Sequence, residues 1–175
     1  MSKVIVYHGR TVKSTKFSPY YCSTKENSHD QYGIGFYFAG TKKVAGFYAI
    51  PDGIVLTCEL DIESWVPFDR RLTQREYNRL FRGASKQNRR ELLENFALDE
   101  KLMHSIYKNL PNAYEQITTL SNDLYADDKA QYLNIVSTMF QASKFIDNGY
   151  ATYVVYDPES IKVLDVDDIG DIDMS

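Results

Sequence analysis

The order of hydrophobic patterns along the chain restricts its fold more than any other feature. From Leu72 to about Asn148, apolar residues recur at three- and four-residue spacings that predict helices. On either side of this block, short β-branched and aromatic runs predict strands at Lys3–Tyr7, Gly35–Ala39, Ile54–Leu60, Tyr150–Tyr156 and Ile161–Val166. Strands from both ends must therefore pair around a large helical insertion, about 72–148, which predicts the α+β class.

Turn and capping residues mark the borders of these segments. Thr41 is a suitable N-cap for a short helix that runs to Ala49, and Pro51-Asp52-Gly53 predicts a turn. Asn148-Gly149 is expected to end the last helix as a C-cap. The polar stretch Arg10–Tyr32 predicts a long loop, of a length that often carries function, and the acidic C-terminal tail is expected to fray.

The size and charge of the chain limit its organisation and its partners. With 175 residues, 43% of them hydrophobic, it is large enough to bury one core, so we expect a single domain over residues 1–175. The net charge of -4 gives no global positive field that would recruit nucleic acid. The densest basic stretch, Asp69–Arg90, could supply a local patch, although a solvated helix face is the commoner explanation of such a composition.

Cysteines, histidines and apolar runs exclude several other classes. Cys22 and Cys58 match neither a zinc site nor a disulfide framework, and His29 and His104 are expected to be ordinary polar residues, so no metal site is predicted. The N-terminal segment lacks the apolar core of a signal peptide, and no apolar run is long enough to cross a bilayer. We therefore expect a soluble cytoplasmic protein that binds no membrane.

Three short motifs lie on the predicted strands. They are Tyr7-His8-Gly9; Gly35-Phe36-Tyr37-Phe38-Ala39 followed by Ala45-Gly46-Phe47-Tyr48; and Tyr153-Val154-Val155-Tyr156-Asp157-Pro158. In this order they resemble the diphtheria-toxin-like ADP-ribosyltransferases, the group that includes the poly(ADP-ribose) polymerases, whose pattern places His, Tyr and Glu on three strands. The resemblance covers roughly residues 3–60 and 140–166. It implies a split β-sheet core and NAD as the cofactor, consumed as a substrate.

The resemblance also implies how the first two motifs bind NAD. His8 is expected to donate a hydrogen bond to ribose hydroxyls, and Gly9 to let its backbone pair with the nicotinamide amide. Tyr37 and Tyr48, eleven positions apart, are expected to clamp the nicotinamide ring, because aromatic faces attract a cationic ring. In the following loop, neutralisation of the diphosphate is expected from Arg10, Lys13, Lys16 or Lys25.

Two positions depart from the family pattern. Ala45 stands where many relatives have a small hydroxyl residue that bonds the nicotinamide amide, and Thr41 is a possible substitute donor. Thr152 stands where active polymerases have glutamate. Threonine can hydrogen-bond a ribose hydroxyl but carries no charge to stabilise a developing cation. Candidates to supply that charge from the helical insertion are Asp127, Asp128 and Asp147.

The resemblance therefore implies a mono-ADP-ribosyltransferase rather than a polymerase, with His8, Tyr37 and Thr152 as the catalytic set. A protein acceptor is favoured over nucleic acid. The family's members include toxins, bacterial effectors and phage proteins, so a host-modifying role in the host cytoplasm is expected by analogy. Two alternatives stay open: a catalytically inert module that binds NAD or ADP-ribose and acts through a protein partner, and an NAD glycohydrolase that transfers ADP-ribose to water.

Overall fold

The computed structural model describes residues 2–19 and 32–175; Cys22, Lys25 and His29 lie outside the described residues. Contacts divide the chain into two compact units. The sheet unit comprises residues 2–18, 36–65 and 141–175, and the described part of the helical unit comprises residues 19, 32–35 and 66–140. The sequence predicts one domain with an insertion at about 72–148, and the helical unit overlaps that insertion over residues 72–140.

The sheet unit contains six strands and one short helix. In chain order these are β1 (Ser2–Arg10), β2 (Phe36–Ala39), α1 (Lys42–Gly46), β3 (Ile54–Ile62), β4 (Ala142–Asp147), β5 (Tyr150–Val155) and β6 (Ile161–Asp168). The strands form one sheet in the order β4-β5-β2-β1-β3-β6, with every neighbouring pair antiparallel. Strands from both ends of the chain share this sheet, which confirms the predicted α+β class.

The sheet is not equally well paired along its width. β1 pairs with β3 over its whole length, from Ser2 opposite Ile62 to Arg10 opposite Ile54. β2 likewise pairs with β5 over all four of its residues. Between β1 and β2, however, the register contains a single pair, Tyr7 opposite Ala39. Beyond that pair the ladder between the two strands stops, and we call the unpaired region between residues 8–10 and 36–38 the β1–β2 split.

Helix α1 covers one face of the sheet beside this split. Thr41 is its N-cap, as predicted, because the Thr41 hydroxyl accepts a hydrogen bond from the Val44 N–H at 3.3 Å. A small apolar cluster forms beneath the helix from Ala39, Ala45, Ala49 and Val55. Ile169 and Ile172 of the acidic tail pack against the same cluster. The expectation that the tail frays is therefore wrong, since its two isoleucines anchor it on α1.

The predicted end of the helical block is also wrong. Residues 142–147 form strand β4, and Asn148-Gly149 is the turn of a β-hairpin rather than a helix C-cap. Both turn residues have positive φ, 48° and 84°, which is the backbone of the two-residue turn that matches the twist of paired strands. Pairing with β5, from Ala142 opposite Val155 to Asp147 opposite Tyr150, therefore outweighs the local helical pattern.

The described part of the helical unit contains five α-helices. They are α2 (Gln74–Gly83), α3 (Lys86–Phe96), α4 (Glu100–Lys108), α5 (Ala113–Leu124) and α6 (Lys129–Val136). Each begins at a side-chain N-cap, and α2 has a full capping box between Thr73 and Glu76. Tyr77, Leu80 and Leu120 are among its fully buried side chains. None of the described helices has the length and apolar character that a bilayer crossing requires.

The hairpin turn can be tested with two alanine substitutions. A Cβ at Gly149 or at Gly170 would meet nothing within 4 Å, but only Gly149 has a positive φ, of 84°. We expect Gly149→Ala to lower the free energy of unfolding by about 1 kcal/mol, because side chains are strained in that backbone region. Gly170→Ala is the control and should be neutral. Urea denaturation checks both, and equal effects of the two substitutions would contradict the turn assignment.

Candidate functional site

His8 lies where β1 leaves β2. Its Nδ1 is 2.6 Å from the main-chain carbonyl oxygen of Tyr37, across the β1–β2 split. A carbonyl oxygen only accepts hydrogen bonds, so Nδ1 must carry the proton and donate it. In the neutral ring Nε2 then has no proton and can only accept. The imidazole therefore offers a ligand a hydrogen-bond acceptor, and not the donor that the family resemblance implies.

The surroundings of His8 keep the ring neutral. Burial, followed by the positive charge of Arg10, lowers the pKa of His8 from 6.5 to about 4, although the hydrogen bond to the Tyr37 carbonyl opposes this shift. At neutral pH the ring thus carries no charge. Its tautomer is set by a main-chain partner, which does not titrate. His8 is accordingly suited to orient a hydroxyl group and unsuited to act as a general acid at neutral pH.

The three candidate catalytic residues lie on strands that are neighbours in the sheet, but their side chains are not all on the same face. Thr152 in β5 is directly opposite Ala39 in β2, and Ala39 is opposite Tyr7 in β1. Because side chains alternate between faces along a strand, Tyr37 and Thr152 share the face of Ala39. His8 is on the other face, where its ring lies 5.3 Å from that of Phe38. A ligand that contacts His8 together with Tyr37 or Thr152 must therefore enter the β1–β2 split.

Gly9 and Ala45 lie directly against each other. A Cβ on Gly9 would lie 1.8 Å from the carbonyl oxygen of Ala45. Gly9 is thus required by the packing of α1 on β1, which leaves only its main-chain edge for a ligand. Ala45 itself is buried. Thr41, the possible substitute donor, accepts the α1 cap bond with its hydroxyl oxygen, which leaves the hydroxyl proton to donate.

The two tyrosines of the second motif differ in their environments. Tyr37 is half-buried in β2. Tyr48 lies in the turn after α1, where its N–H donates to the Ala45 carbonyl at 3.0 Å and its side chain is 55% exposed. More than half of Tyr48 therefore lies in contact with solvent, whereas Tyr37 is half-buried.

Arg10 fixes the loop that follows β1. Its Nη1 donates to the carbonyl oxygens of Ser14 and Lys16, both at 2.9 Å, and its guanidinium lies 4.5 Å from the centre of the Phe17 ring. The Phe17 ring in turn contacts His8 edge to face at 5.2 Å. Arg10 therefore holds the apolar ring of Phe17 against His8. Of the other loop cations, Lys13 is paired with Asp168 at 2.9 Å.

Phe17 is the site residue that sequence reasoning misses. The stretch from Thr11 to Ser18 is polar apart from Val12 and Phe17, and an isolated aromatic residue in such a loop was the available signal. Its ring also contacts Phe36 and Phe38, both at 5.5 Å. The Phe17 and Phe38 rings thus lie against the imidazole, and Phe36 lies against Phe17, which explains why burial is the main cause of the lowered pKa of His8.

Only one of the three candidate acids belongs to the sheet unit. Asp127 accepts a hydrogen bond from Asn88, and Asp128 caps α6; both lie in the helical unit. Asp147 lies in β4, two residues beyond Phe145, which is opposite Thr152. Diagonal neighbours on one face of a sheet are about 7–8 Å apart. Asp147 is therefore the candidate acid that the register places beside Thr152.

Comparisons with protein families, with curated proteins and with solved structures find no match for this chain. Within residues 2–19 and 32–175, no group of three or more His, Cys, Asp and Glu residues is placed to hold a metal ion. Cys58 is buried, and burial raises the pKa of its thiol to about 12, so it is not a nucleophile at neutral pH. The residues around the β1–β2 split are therefore the candidate functional site.

The lowered pKa of His8 predicts how stability changes with pH. Unfolded His8 takes up a proton near pH 6.5, whereas folded His8 does so only near pH 4, so acidification over this range favours the unfolded state. The shift corresponds to a loss of about 3 kcal/mol in the free energy of unfolding.

The variant that tests this is His8→Asn, whose Nδ2 can replace the Nδ1 donor to Tyr37 without titrating. We expect the stability of the wild type to fall more steeply than that of His8→Asn between pH 6.5 and pH 4, as measured by urea denaturation. Parallel curves for the two proteins would show that the pKa of His8 is not lowered by folding.

Proposed function

We propose that this chain is an NAD-dependent mono-ADP-ribosyltransferase whose NAD site is the β1–β2 split. The observation that carries the proposal is the neutral imidazole of His8, fixed across the split by the Tyr37 carbonyl with its Nε2 left as an acceptor. A ribose hydroxyl is a suitable donor for such a group. The adjacency of β1, β2 and β5, which carry the three motifs, supports the same site.

In the proposed reaction the residues of the split bind and orient NAD. His8 Nε2 accepts a hydrogen bond from a ribose hydroxyl, while Tyr37 and Tyr48 hold the nicotinamide ring. The bond between nicotinamide and ribose breaks, its electron pair neutralises the pyridinium nitrogen, and an oxocarbenium-like ribose is left. An acceptor nucleophile then bonds to the ribose carbon that carried nicotinamide and loses its proton to solvent or to a base of the acceptor.

Thr152 is expected to limit the rate of the proposed reaction. Its hydroxyl can bond the ribose 2′-hydroxyl but cannot offset the positive charge that develops on the ribose. Asp147, the diagonal neighbour in β4, or a carboxylate of the acceptor itself would have to supply that charge. Single transfer is compatible with this arrangement, whereas repeated elongation, which needs a second activated hydroxyl, is not part of the proposal.

Threonine at position 152 favours a second candidate function. Because Thr152 occupies the position beside Ala39 where the family has its acid, the split could bind NAD or ADP-ribose without turnover. In that case the chain is a binding module that acts through a protein partner. NAD hydrolysis, with water as the acceptor, is the third outcome that the same site chemistry allows.

One incubation separates these functions. The protein is mixed with NAD labelled in its adenylate phosphate and with cell lysate, and covalent label, released nicotinamide and bound NAD are measured. Label on macromolecules that is lost in His8→Asn and Tyr37→Ala, but kept in the matched control Phe96→Ala at the exposed end of α3, supports the transferase. Saturable binding alone indicates the inert module, and nicotinamide release without labelled macromolecules indicates the glycohydrolase. Absence of NAD binding would exclude all three.

The role of Thr152 predicts a gain of activity. Thr152→Glu should increase the rate of nicotinamide release by about 10- to 100-fold, because it places a negative charge beside the developing cation. Thr152→Gln has nearly the same shape without the charge and should give no comparable increase. Release is followed by chromatography of nicotinamide at saturating NAD. Equal rates in the glutamate and glutamine variants would contradict the proposed position of Thr152 at the reacting ribose.

A further inference from the structure

Phe17 lies over His8 from the chain segment that follows β1. The Phe17 ring is 5.2 Å from the ring of His8 and 5.5 Å from that of Phe38, so the three rings share one side of the sheet. We call residues 11–18 the Phe17 strap. A ligand that bonds the imidazole on this side competes with the Phe17 ring for space.

Arg10 attaches the Phe17 strap to the sheet. Its Nη1 donates to the carbonyl oxygens of Ser14 and Lys16, both at 2.9 Å, and its guanidinium lies 4.5 Å from the centre of the Phe17 ring. In the described part of the chain, the other polar contacts of residues 11–16 are local or highly exposed, and exposed ion pairs contribute little. The strap therefore depends mainly on Arg10.

Among the described residues, the Arg10 guanidinium has no anionic partner. Burial lowers its pKa, and no carboxylate there offsets the shift. Its hydrogen-bond partners in the strap are two neutral carbonyl groups on different residues. A phosphate offers instead two negative oxygens in the bidentate geometry that a guanidinium prefers. Arg10 is thus a partly buried cation that gains by exchanging its carbonyl partners for a phosphate.

The position of Arg10 relative to His8 suits such an exchange. Residues two apart in a strand point to the same face and are about 7 Å apart. In the proposed NAD site a ribose hydroxyl bonds His8 Nε2, and NAD carries its diphosphate on the 5′ carbon of the same ribose. A ribose ring spans a similar distance, so the diphosphate of that ligand comes within reach of Arg10.

We propose that Arg10 binds the diphosphate of NAD and, by releasing the Phe17 strap, uncovers His8. The inference rests on the proposed NAD site. When the guanidinium turns to phosphate, the carbonyls of Ser14 and Lys16 lose their donor and the Phe17 ring loses its cation. The strap then leaves the imidazole to the ribose. Arg10 is in this account a positioning residue that selects dinucleotides over nicotinamide riboside, which has no phosphate.

Chemical modification of His8 tests the coupling without NAD. Diethyl pyrocarbonate carbethoxylates an unprotonated imidazole nitrogen, and His8 is neutral at pH 7. The rate at His8 is measured by peptide mass spectrometry with and without saturating inorganic pyrophosphate, and the rate at His104 corrects for effects on the reagent. We expect pyrophosphate to raise the rate at His8 by at least about tenfold, because the strap loses two hydrogen bonds from a charged donor.

Three variants locate the effect. Arg10→Met keeps the length of the side chain without its donors, and Phe17→Ala removes the cover itself; in both, His8 should react fast without pyrophosphate and show no further increase. Arg79→Met, an exposed arginine of α2, is the matched control and should behave as the wild type. Circular dichroism melting checks that the variants fold. A wild-type rate that pyrophosphate leaves unchanged, or slow modification in Arg10→Met and Phe17→Ala, would overturn the proposal.

Binding measurements separate this inference from the NAD site itself. By titration calorimetry, the wild type should bind NAD more tightly than nicotinamide riboside by about tenfold or more, and Arg10→Met should bring the two affinities closer together. If NAD binds and Arg10→Met keeps the wild-type ratio, the role of Arg10 is wrong and the NAD site stands. If pyrophosphate uncovers His8 but NAD does not bind, the coupling is supported and the NAD site is wrong.

Discussion

The hydrogen bond from His8 to the Tyr37 carbonyl joins the two parts of a sheet at the point where they separate. β1 is paired along its length with β3, and β2 with β5, while β1 and β2 share the single pair Tyr7–Ala39. Where the main-chain ladder stops, a side chain takes its place at 2.6 Å. That replacement fixes the tautomer of the imidazole and turns Nε2 into the acceptor on which the proposed NAD site depends.

Packing on the two faces of the sheet determines what can reach this imidazole. On one face α1 lies so close to β1 that only glycine fits at position 9. On the other face Arg10 holds Phe17 against His8, and the Phe17 ring shares this side with Phe36 and Phe38. We therefore expect the proposed ligand to enter between the strands, along the β1–β2 split.

Much of the sheet could be predicted from the sequence because its signals are local. β1, β2, β3, β5 and β6 each begin or end within a few residues of the predicted runs, and Thr41 caps α1 as expected. β4 could not be predicted, because residues 142–147 follow a helical pattern and become a strand only by pairing with β5. The packing of the tail on α1 likewise depends on residues distant in sequence, Ala39 and Val55 among them.

In the candidate site, too, some features could be predicted from the local sequence and others depend on distant residues. The motifs place His8, Tyr37 and Thr152 on adjacent strands, but not on one face, since the face of each side chain depends on the register of β1 with β2. Gly9 is explained by its contact with Ala45, which no local pattern reveals. In the helical unit, the basic stretch was visible in the sequence, whereas the structure was needed to place Arg75, Arg79 and Arg82 on the exposed side of α2.

The most direct test of this account is a nuclear magnetic resonance titration of ¹⁵N-histidine-labelled protein with NAD, in which His8 is assigned from the spectrum of His8→Asn. Two-bond proton–nitrogen correlations report which ring nitrogen carries the proton. We predict a neutral ring at pH 7, protonated at Nδ1, with an Nε2 resonance that shifts saturably as NAD is added. A ring protonated at Nε2, or an Nε2 resonance unmoved by millimolar NAD, would contradict the account.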